Sequence, residues 1–256
     1  MQKILWLIAF IFCMSSLHAQ VKKKIKRGRR NKSDNEISIP SNYIQAEWEF
    51  GHENITQYLA TTVYPNMVLR YGITDKMDVS TEFNLITTHL KLPDTTLHTN
   101  GIEPVLFGIN YLFWSTKDGK SSLIGEAQLA FPSLASKDYT AKHIAPTVQL
   151  SGTRSIGKRS QIIITAGVFW DGFSTTPSTT YNSAYSFDIT RKWNISSSLF
   201  GFIGKSAPLH NLDVSLSYAP NQNFQVGITG GLGINESAHD NYLAVNGVFG
   251  FSTKHH

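Results

Sequence analysis

Four polar residues at even spacing around a short turn carry the clearest chemistry in this sequence. Asn66, Arg70, Asp78 and Glu82 lie between apolar neighbours in two alternating runs. Because opposite residues of a hairpin share a face, a turn centred on Thr74 pairs Arg70 with Asp78 and Asn66 with Glu82. Such a charge cluster has two interpretations. It is a filter that selects solutes by charge, or it is an ion-pair network that fills and rigidifies an interior, where a charge needs a partner.

Other polar residues are weaker candidates for the same interior. The alternation places four more side chains on its wet face: Glu126, Gln128, Gln149 and Asp188. The histidines form no recognisable nucleophile motif, and the pair His255–His256 is the only one with metal-like spacing. The sequence therefore predicts a protein that is not an enzyme and that has no cofactor or metal site.

Strand-like alternation recurs along the chain from Asn42 onward. In one run Leu212, Val214 and Leu216 oppose Asp213 and Ser215. We predict twelve strands, at 42–52, 60–71, 76–87, 103–114, 121–132, 143–154, 160–170, 181–190, 194–203, 211–219, 223–233 and 241–252. Short turns are predicted at 72–75, 115–120, 156–159, 190–193 and 220–223. Longer loops alternate with them, at 53–59, 88–102, 133–142, 171–180, 204–210 and 234–240. This alternation is typical of an up-and-down barrel with periplasmic turns and extracellular loops.

The N-terminus has the organisation of a secretory signal. Lys3 supplies the positive charge, residues 4–14 are apolar, and Ala19 offers a cleavage site. An apolar run of about eleven residues is too short to span a bilayer as a helix. Cys13, the single cysteine, leaves with the predicted signal peptide 1–19, so the mature chain would have no disulfide.

A strongly basic segment follows the predicted signal. Eight Lys and Arg residues lie between Lys22 and Lys32, whereas residues 37–256 are slightly acidic in sum. Nucleic acid is not an expected partner behind an export signal. We predict that residues 20–40 form a disordered, solvated periplasmic tail. The alternative is electrostatic contact with anionic lipid headgroups or with an acidic partner in the envelope.

The composition fits a membrane barrel better than its competitors. No stretch approaches about 18 consecutive apolar residues, which excludes an α-helical membrane protein. A secreted β-sandwich also has short strands and regular turns. Strands of about ten residues, however, suit a tilted membrane crossing. Aromatic residues near strand ends suit interfacial girdles: Trp114, Trp170, Tyr181, Trp193, Tyr218 and Tyr242. We predict an all-β fold, a transmembrane antiparallel up-and-down β-barrel of about twelve strands over residues 41–252, followed by a tail at 253–256.

Several motifs resemble those of one family. Residues 69–76 read Leu-Arg-Tyr-Gly-Ile-Thr-Asp-Lys and precede an alternating acidic strand. This run resembles the signature hairpin of the MetA-pathway-of-phenol-degradation family. The runs 108–111, 131–133, 223–235 and 240–242 resemble later strands of the same family. The likeness covers roughly residues 40–252.

The resemblance implies an outer-membrane transporter of a Gram-negative bacterium. It implies passive passage of small solutes, with apolar or aromatic compounds as the expected class. The expected partners are outer-membrane lipid, the solute and the barrel-assembly machinery, which reads a terminal aromatic such as Phe251. The alternative is a structural or adhesive barrel that binds a partner through the outer loops 88–102 and 171–180.

Overall fold

The protein folds into strands over almost all of its described length. The computed structural model describes residues 39–204, 208–238 and 240–253, so the predicted signal peptide, the basic segment and the last three residues lie outside it. The thirteen strands are β1 Tyr43–Thr56, β2 Leu59–Gly72, β3 Met77–Lys91, β4 Thr96–Ile102, β5 Val105–Ser115, β6 Ser121–Phe131, β7 Ala145–Ile156, β8 Ser160–Phe169, β9 Ser178–Asp188, β10 Trp193–Ile203, β11 Leu209–Tyr218, β12 Phe224–Gly233 and β13 Asn241–Ser252. Two single-turn 3₁₀ helices, Pro132–Leu134 and Lys137–Tyr139, lie between β6 and β7.

Twelve of these strands form a closed antiparallel ring. Each strand pairs with its neighbour in sequence, except that β5 follows β3 around the wall, and β13 returns to pair with β1 along twelve residue pairs. Closure leaves no open edge among these twelve strands, which is the condition for β-structure in a bilayer. The predicted fold class, a twelve-strand up-and-down barrel, is confirmed.

Alternating side chains give the wall an apolar outside and a polar inside. On β11, Leu212, Val214 and Leu216 are 39%, 49% and 38% exposed, whereas Asp213 and Ser215 between them are buried. In a water-soluble protein this pattern would be inverted, because exposed faces are polar. The outside of the barrel therefore suits hydrocarbon, and its interior is lined with polar groups. No helix among the described residues is long and apolar enough to cross a membrane.

The sequence prediction missed one strand in the loop 88–102. β3 extends to Lys91, and β4 folds back along its outer half, from Leu85↔Ile102 to Lys91↔Thr96. The inner half of β3 pairs instead with β5, from Met77↔Tyr111 to Glu82↔Leu106. β4 is thus an addition to the closed ring, and we call residues 85–102 the β3–β4 hairpin.

The two ends of the barrel differ in their connections. The end that holds both described chain termini has the short turns, and Thr253 donates to the carbonyl of Asn42 there. Outer-membrane barrels place such turns in the periplasm. The opposite end has the longer connections, but the predicted loop 53–59 is not one of them. The predicted loop 53–59 is a two-residue turn at Gln57 and Tyr58, because β1 and β2 run further than the alternation indicates.

Aromatic side chains flank the apolar band near the short turns. The Trp193 and Tyr218 rings lie 4.7 Å apart, and Tyr111 contacts Phe113 at 5.2 Å. Such residues suit the headgroup level of a bilayer. The placement of Tyr242 in a girdle was wrong. Its side chain is only 7% exposed. Tyr242 lies on the same face of β13 as the buried Ala244 and Asn246, so it points to the barrel interior.

Candidate functional site

A buried ionic cluster lies inside the barrel near the short turns. The guanidinium of Arg70 holds Asp78 through both Nη2 and Nε, at 2.9 and 3.1 Å from Oδ1. Asn110 Nδ2 donates to the same oxygen at 2.9 Å, and Arg70 Nη1 lies 3.9 Å from Glu47 Oε1. Arg70 and Asp78 are 6% and 0% exposed, so the pair is shielded from solvent. We call Glu47, Arg70, Asp78 and Asn110 the Arg70 cluster.

The strand register differs from the one that a turn centred on Thr74 predicts. Arg70 lies opposite Ser80, and Gly72 lies opposite Asp78. The observed pairing is displaced by two residues from the predicted one. Because side chains alternate with a period of two, each side chain stays on its predicted face. The contact between Arg70 and Asp78 survives as a diagonal one, which a long side chain can span.

The first described residues fold over this cluster from the short-turn end. The backbone N–H of Ile39 donates to Oδ2 of Asp78 at 3.1 Å, and Ile39 is itself buried. Gly72 allows this approach, because a Cβ there would collide with the carbonyl of Pro40. Asn42 N–H then donates to the carbonyl of Gly72 at 2.8 Å, where the chain joins the wall. Residues 39–42 therefore approach β1 from the barrel interior.

The remaining predicted site residues lie at several places on the interior wall. Gln128 donates to Glu126 at 2.7 Å, and Gln149 lies opposite Glu126 on the neighbouring strand. Asp188 is on the far side of the ring, where it accepts a hydrogen bond from Asn194 at 2.7 Å. The structure thus brings Glu126, Gln128 and Gln149 together and separates Asp188 from them.

A cavity lined with carboxylates occupies the outer half of the interior. Its volume is about 540 Å³. We call it the acidic cavity, after the four acidic side chains that line it: Glu49, Glu53, Glu82 and Glu103. Asn66 Nδ2 donates to Glu82 at 2.8 Å, and Asn84 Nδ2 donates to Glu103 at 2.9 Å. Asn66 and Glu82 therefore meet as predicted from sequence, across a diagonal rather than directly.

Sequence reasoning missed the acidic residues of β1. Glu47, Glu49 and Glu53 are at even spacing, and that spacing puts all of them on the interior face. The signal was present, but apolar residues on both faces of this strand obscured it. Glu103 lies between β4 and β5, outside any alternating run, so no pattern points to it.

The described interior carries a large excess of negative charge. Nine carboxylates lie on the interior face or line the acidic cavity: Glu47, Glu49, Glu53, Asp78, Glu82, Glu103, Glu126, Asp188 and Asp213. Among the described residues, 39–204, 208–238 and 240–253, Arg70 is the only basic side chain on the interior face. The formal charge of the described interior is therefore eight units negative.

Asp213 anchors a second buried network on the opposite wall. It accepts hydrogen bonds from the hydroxyl of Tyr242 at 2.7 Å and from the hydroxyl of Ser198. Asp213 is 1% exposed. A buried carboxylate needs such donors, which explains why an aromatic residue near a strand end faces inward here.

A second concavity, on the surface of the barrel, does not belong to this interior site. This concavity, of about 850 Å³, is lined by outward-facing apolar residues such as Leu69, Phe107 and Leu129, and it lies on the outer surface of the barrel wall. In the described part of the chain, no group of three or more His, Cys, Asp or Glu side chains is placed to hold a metal ion.

A row of histidines marks the outer rim of the wall. His52 Nδ1 and His89 Nε2 each lie 2.9 Å from the hydroxyl of Thr62, and His89 Nδ1 lies 2.8 Å from Nδ1 of His98. On the β3–β4 hairpin the outward face is polar beyond Leu85: Thr87, His89, Lys91, Thr96, His98 and Asn100. The hairpin therefore extends beyond the apolar band.

We expect this rim to weaken in acid. Burial of the ring lowers the pKa of His89, and the nearby charges of His98, His52 and Lys91 lower it further. Because the folded pKa is depressed for a base, the unfolded hairpin binds a proton more readily, and stability falls as the pH drops below about 6.5. Amide exchange in the β3–β4 hairpin, corrected for intrinsic rates, should be faster at about pH 5 than at about pH 7. His89→Gln should remove most of this difference. An unchanged pH dependence in that variant would contradict the assignment.

Comparison with known proteins identifies the family. The family model described as "Putative MetA-pathway of phenol degradation" matches residues 29–250. The chain belongs to this family. No curated protein matches the sequence.

Solved structures place this member of the phenol-degradation family among outer-membrane barrels. An outer-membrane channel from Pseudomonas putida F1 shares its fold with a TM-score of 0.66 at 12% identity, over 83% of this chain and 97% of that one. The porin KdgM gives a TM-score of 0.56 at 11% identity, over 81% and 99% of the two chains. The porin NanC gives 0.56 at 10% identity, over 80% and 98%. At such identities the likeness concerns the fold. This family member has the fold of an outer-membrane β-barrel.

Proposed function

We propose that this barrel is a passive channel that carries small solutes across the outer membrane. The observation that carries the proposal is the acidic cavity inside a closed wall of twelve strands. A ring of this size is wider than the eight-strand barrels that side chains fill, and narrower than open sixteen-strand porins. The solved channel and porins of the same fold support the assignment.

The two charged clusters have different roles in this proposal. Arg70 and Asp78 are shielded from solvent and form a bidentate pair, so they brace the wall near the periplasmic end. Glu49 and Glu82 line the acidic cavity, so their carboxylates lie along the path that a solute would take. Carboxylate rings favour cations over anions. The channel therefore admits cationic and neutral solutes more readily than anions.

Neutral aromatic compounds are the first solutes to test. The family description names phenol degradation, and a phenol carries no charge at neutral pH that the carboxylates would repel. Insertion of the barrel would depend on the barrel-assembly machinery, for which Phe251 near the end of β13 is the candidate signal.

Ion selectivity in planar bilayers tests the proposal. The chain from Gln20 should give discrete single-channel openings, and under a KCl gradient its reversal potential should show a preference for K⁺ over Cl⁻. The double variant Glu49→Gln/Glu82→Gln should lose most of that preference, because two of the four carboxylates of the cavity become neutral. Asp94→Asn is the matched control, since Asp94 lies in the exposed turn of the β3–β4 hairpin.

The contrary outcome would favour the structural or adhesive role. That outcome is a lack of discrete openings in the chain from Gln20. Uptake of phenol into proteoliposomes at the rate of empty liposomes would argue separately against an aromatic solute.

A further inference from the structure

The connection between β6 and β7 does not run directly from one strand to the next. We call this connection, residues 132–144, the β6–β7 strap, and it contains both 3₁₀ helices. We propose that the strap is a fixed constriction at the outer entrance of the acidic cavity, and that Tyr139 sets the size of the solute that is admitted. This inference rests on the proposed channel function, and it adds a limit on size to the preference for charge.

The strap is anchored first to the β3–β4 hairpin. The N–H of Ser136 donates to the carbonyl of Ile102 at 2.9 Å, and the N–H of Ile102 donates to Oγ of Ser136 at 2.9 Å. In the ring, β5 lies between β6 and β3. The strap therefore turns back over the outer end of β5 before it continues to β7.

The second anchor is the connection between β8 and β9. The N–H groups of Lys142 and His143 both donate to the carbonyl of Gly172, at 3.1 and 3.0 Å. Gly172 has a φ of +76°, and a Cβ there would lie 2.7 Å from Cβ of Ala141, so the contact requires glycine. Hydrogen bonds on both sides of Tyr139 thus hold the strap in one position.

Tyr139 lies between the two anchors and points into the barrel. Its ring packs on the inner side of Gly101, where a Cβ would lie 2.6 Å from Cδ2 of the ring. Its hydroxyl donates to the carbonyl of Thr99 at 2.6 Å and lies 3.0 Å from Oγ1 of Thr88. Thr88 lines the acidic cavity, as does Tyr139 itself. The ring is therefore held on the cavity side of the hairpin.

The position of Tyr139 along the cavity is that of an entrance. The described residues that line the cavity belong to β1, β2 and β3, except for Glu103 and Tyr139, and Tyr139 alone among them is aromatic. Thr88 lies six residues beyond Glu82 toward the outer end of β3, which is about 20 Å along a strand. A solute that enters from outside therefore passes the Tyr139 ring before it reaches Glu82.

The packing of the ring predicts which of its atoms matter for passage. The ring contacts backbone at Gly101, whereas the hydroxyl makes the polar contacts. Loss of the hydroxyl alone leaves the ring seated on Gly101. The width of the entrance should therefore depend on the volume of the ring and only weakly on its hydroxyl.

Single-channel recording with polymers of graded size tests the constriction. In the chain from Gln20, Tyr139→Ala should roughly double the conductance in KCl, because a constriction controls the current through a pore. It should also admit larger neutral polyethylene glycols, read as the largest polymer that still lowers the conductance. Tyr139→Phe should behave like the parent. Tyr58→Ala is the matched control, since Tyr58 is 59% exposed in the turn between β1 and β2 at the same end of the barrel.

The contrary results are distinct from a failure of the channel function. Equal conductance and equal polymer exclusion in the parent and in Tyr139→Ala would overturn the constriction. An equal rise in conductance in Tyr58→Ala would also overturn it, because the effect would then belong to the rim in general. Absence of openings in the parent and in every variant would overturn the channel function instead.

Chemical modification tests the same position within a barrel that is already inserted and conducting. The chain from Gln20 contains no cysteine. Tyr139→Cys should conduct like Tyr139→Ala, and a bulky neutral methanethiosulfonate reagent should then lower its current, because the added group replaces the volume of the ring without adding charge. Tyr58→Cys should be unaffected by the reagent. An unchanged current in Tyr139→Cys, whether the thiol reacts or is inaccessible, would overturn the proposal.

Discussion

Replacing Arg70 with methionine is expected to lower the free energy of unfolding by about 3–5 kcal/mol. The substitution leaves Asp78 in place with no exposed surface, and it removes a guanidinium that contacts both carboxylate oxygens. A buried charge that loses its partner keeps the cost of desolvation without the compensating attraction. Urea unfolding in lipid vesicles, followed by tryptophan fluorescence, measures the change.

Two variants separate the ion pair from general effects of the substitution. Arg70→Met/Asp78→Asn should recover much of the loss, because both charges are then gone and Asn110 can still bond at that position. Arg159→Met is the matched control, since Arg159 is exposed in the turn between β7 and β8. A loss of less than about 1 kcal/mol for Arg70→Met would mean that the pair is solvated like a surface salt bridge.

Val214→Arg should destabilise the barrel by about 2–4 kcal/mol, the range for a basic residue at the bilayer midplane. Val214 lies in the middle of β11, faces outward and is 49% exposed. In a secreted β-sandwich, arginine at such an exposed position would change stability by no more than about 0.5 kcal/mol. The same unfolding measurement therefore also tests the membrane assignment.

The controls for this variant change size or charge alone. Val214→Leu keeps the position apolar and should be close to neutral. Asn221→Arg adds the same charge in the exposed turn between β11 and β12, where water solvates it. If Val214→Arg and Asn221→Arg had equal effects, the outward face of β11 would not contact hydrocarbon.

The wall of the barrel was predictable because its outer face is apolar and its inner face is polar, which gives each strand a regular alternation. Residues 211–218 of β11 alternate without exception, so both the period and the orientation of this strand are readable from the sequence. Contacts within the wall were predictable to the same degree. Arg70 meets Asp78 as expected, although the register differs by two residues, because a shift of two preserves the face and a long side chain absorbs the displacement.

Other features depend on information that no local pattern contains. The strand β4 has polar residues facing outward, since it lies beyond the apolar band, and so it resembled a loop in sequence. Tyr242 was assigned to the wrong face because the buried Asp213 that it satisfies is 29 positions away. Glu103 reaches the acidic cavity from a connection between strands. The cavity is assembled by closure of the ring, and closure is a property of the whole sheet.

The attachment of the β3–β4 hairpin allows its tip to vary in evolution without disturbing the closed ring. β5 pairs with β3 only as far as Glu82, and beyond that point β4 takes its place beside the outer half of β3. The hydrogen bonds that close the ring therefore do not depend on residues 92–95 at the hairpin tip. Longer or shorter tips alter mainly the entropy of a surface loop, which changes slowly with length. Evolution can remodel the face that meets the surroundings of the cell while the membrane-spanning wall stays intact.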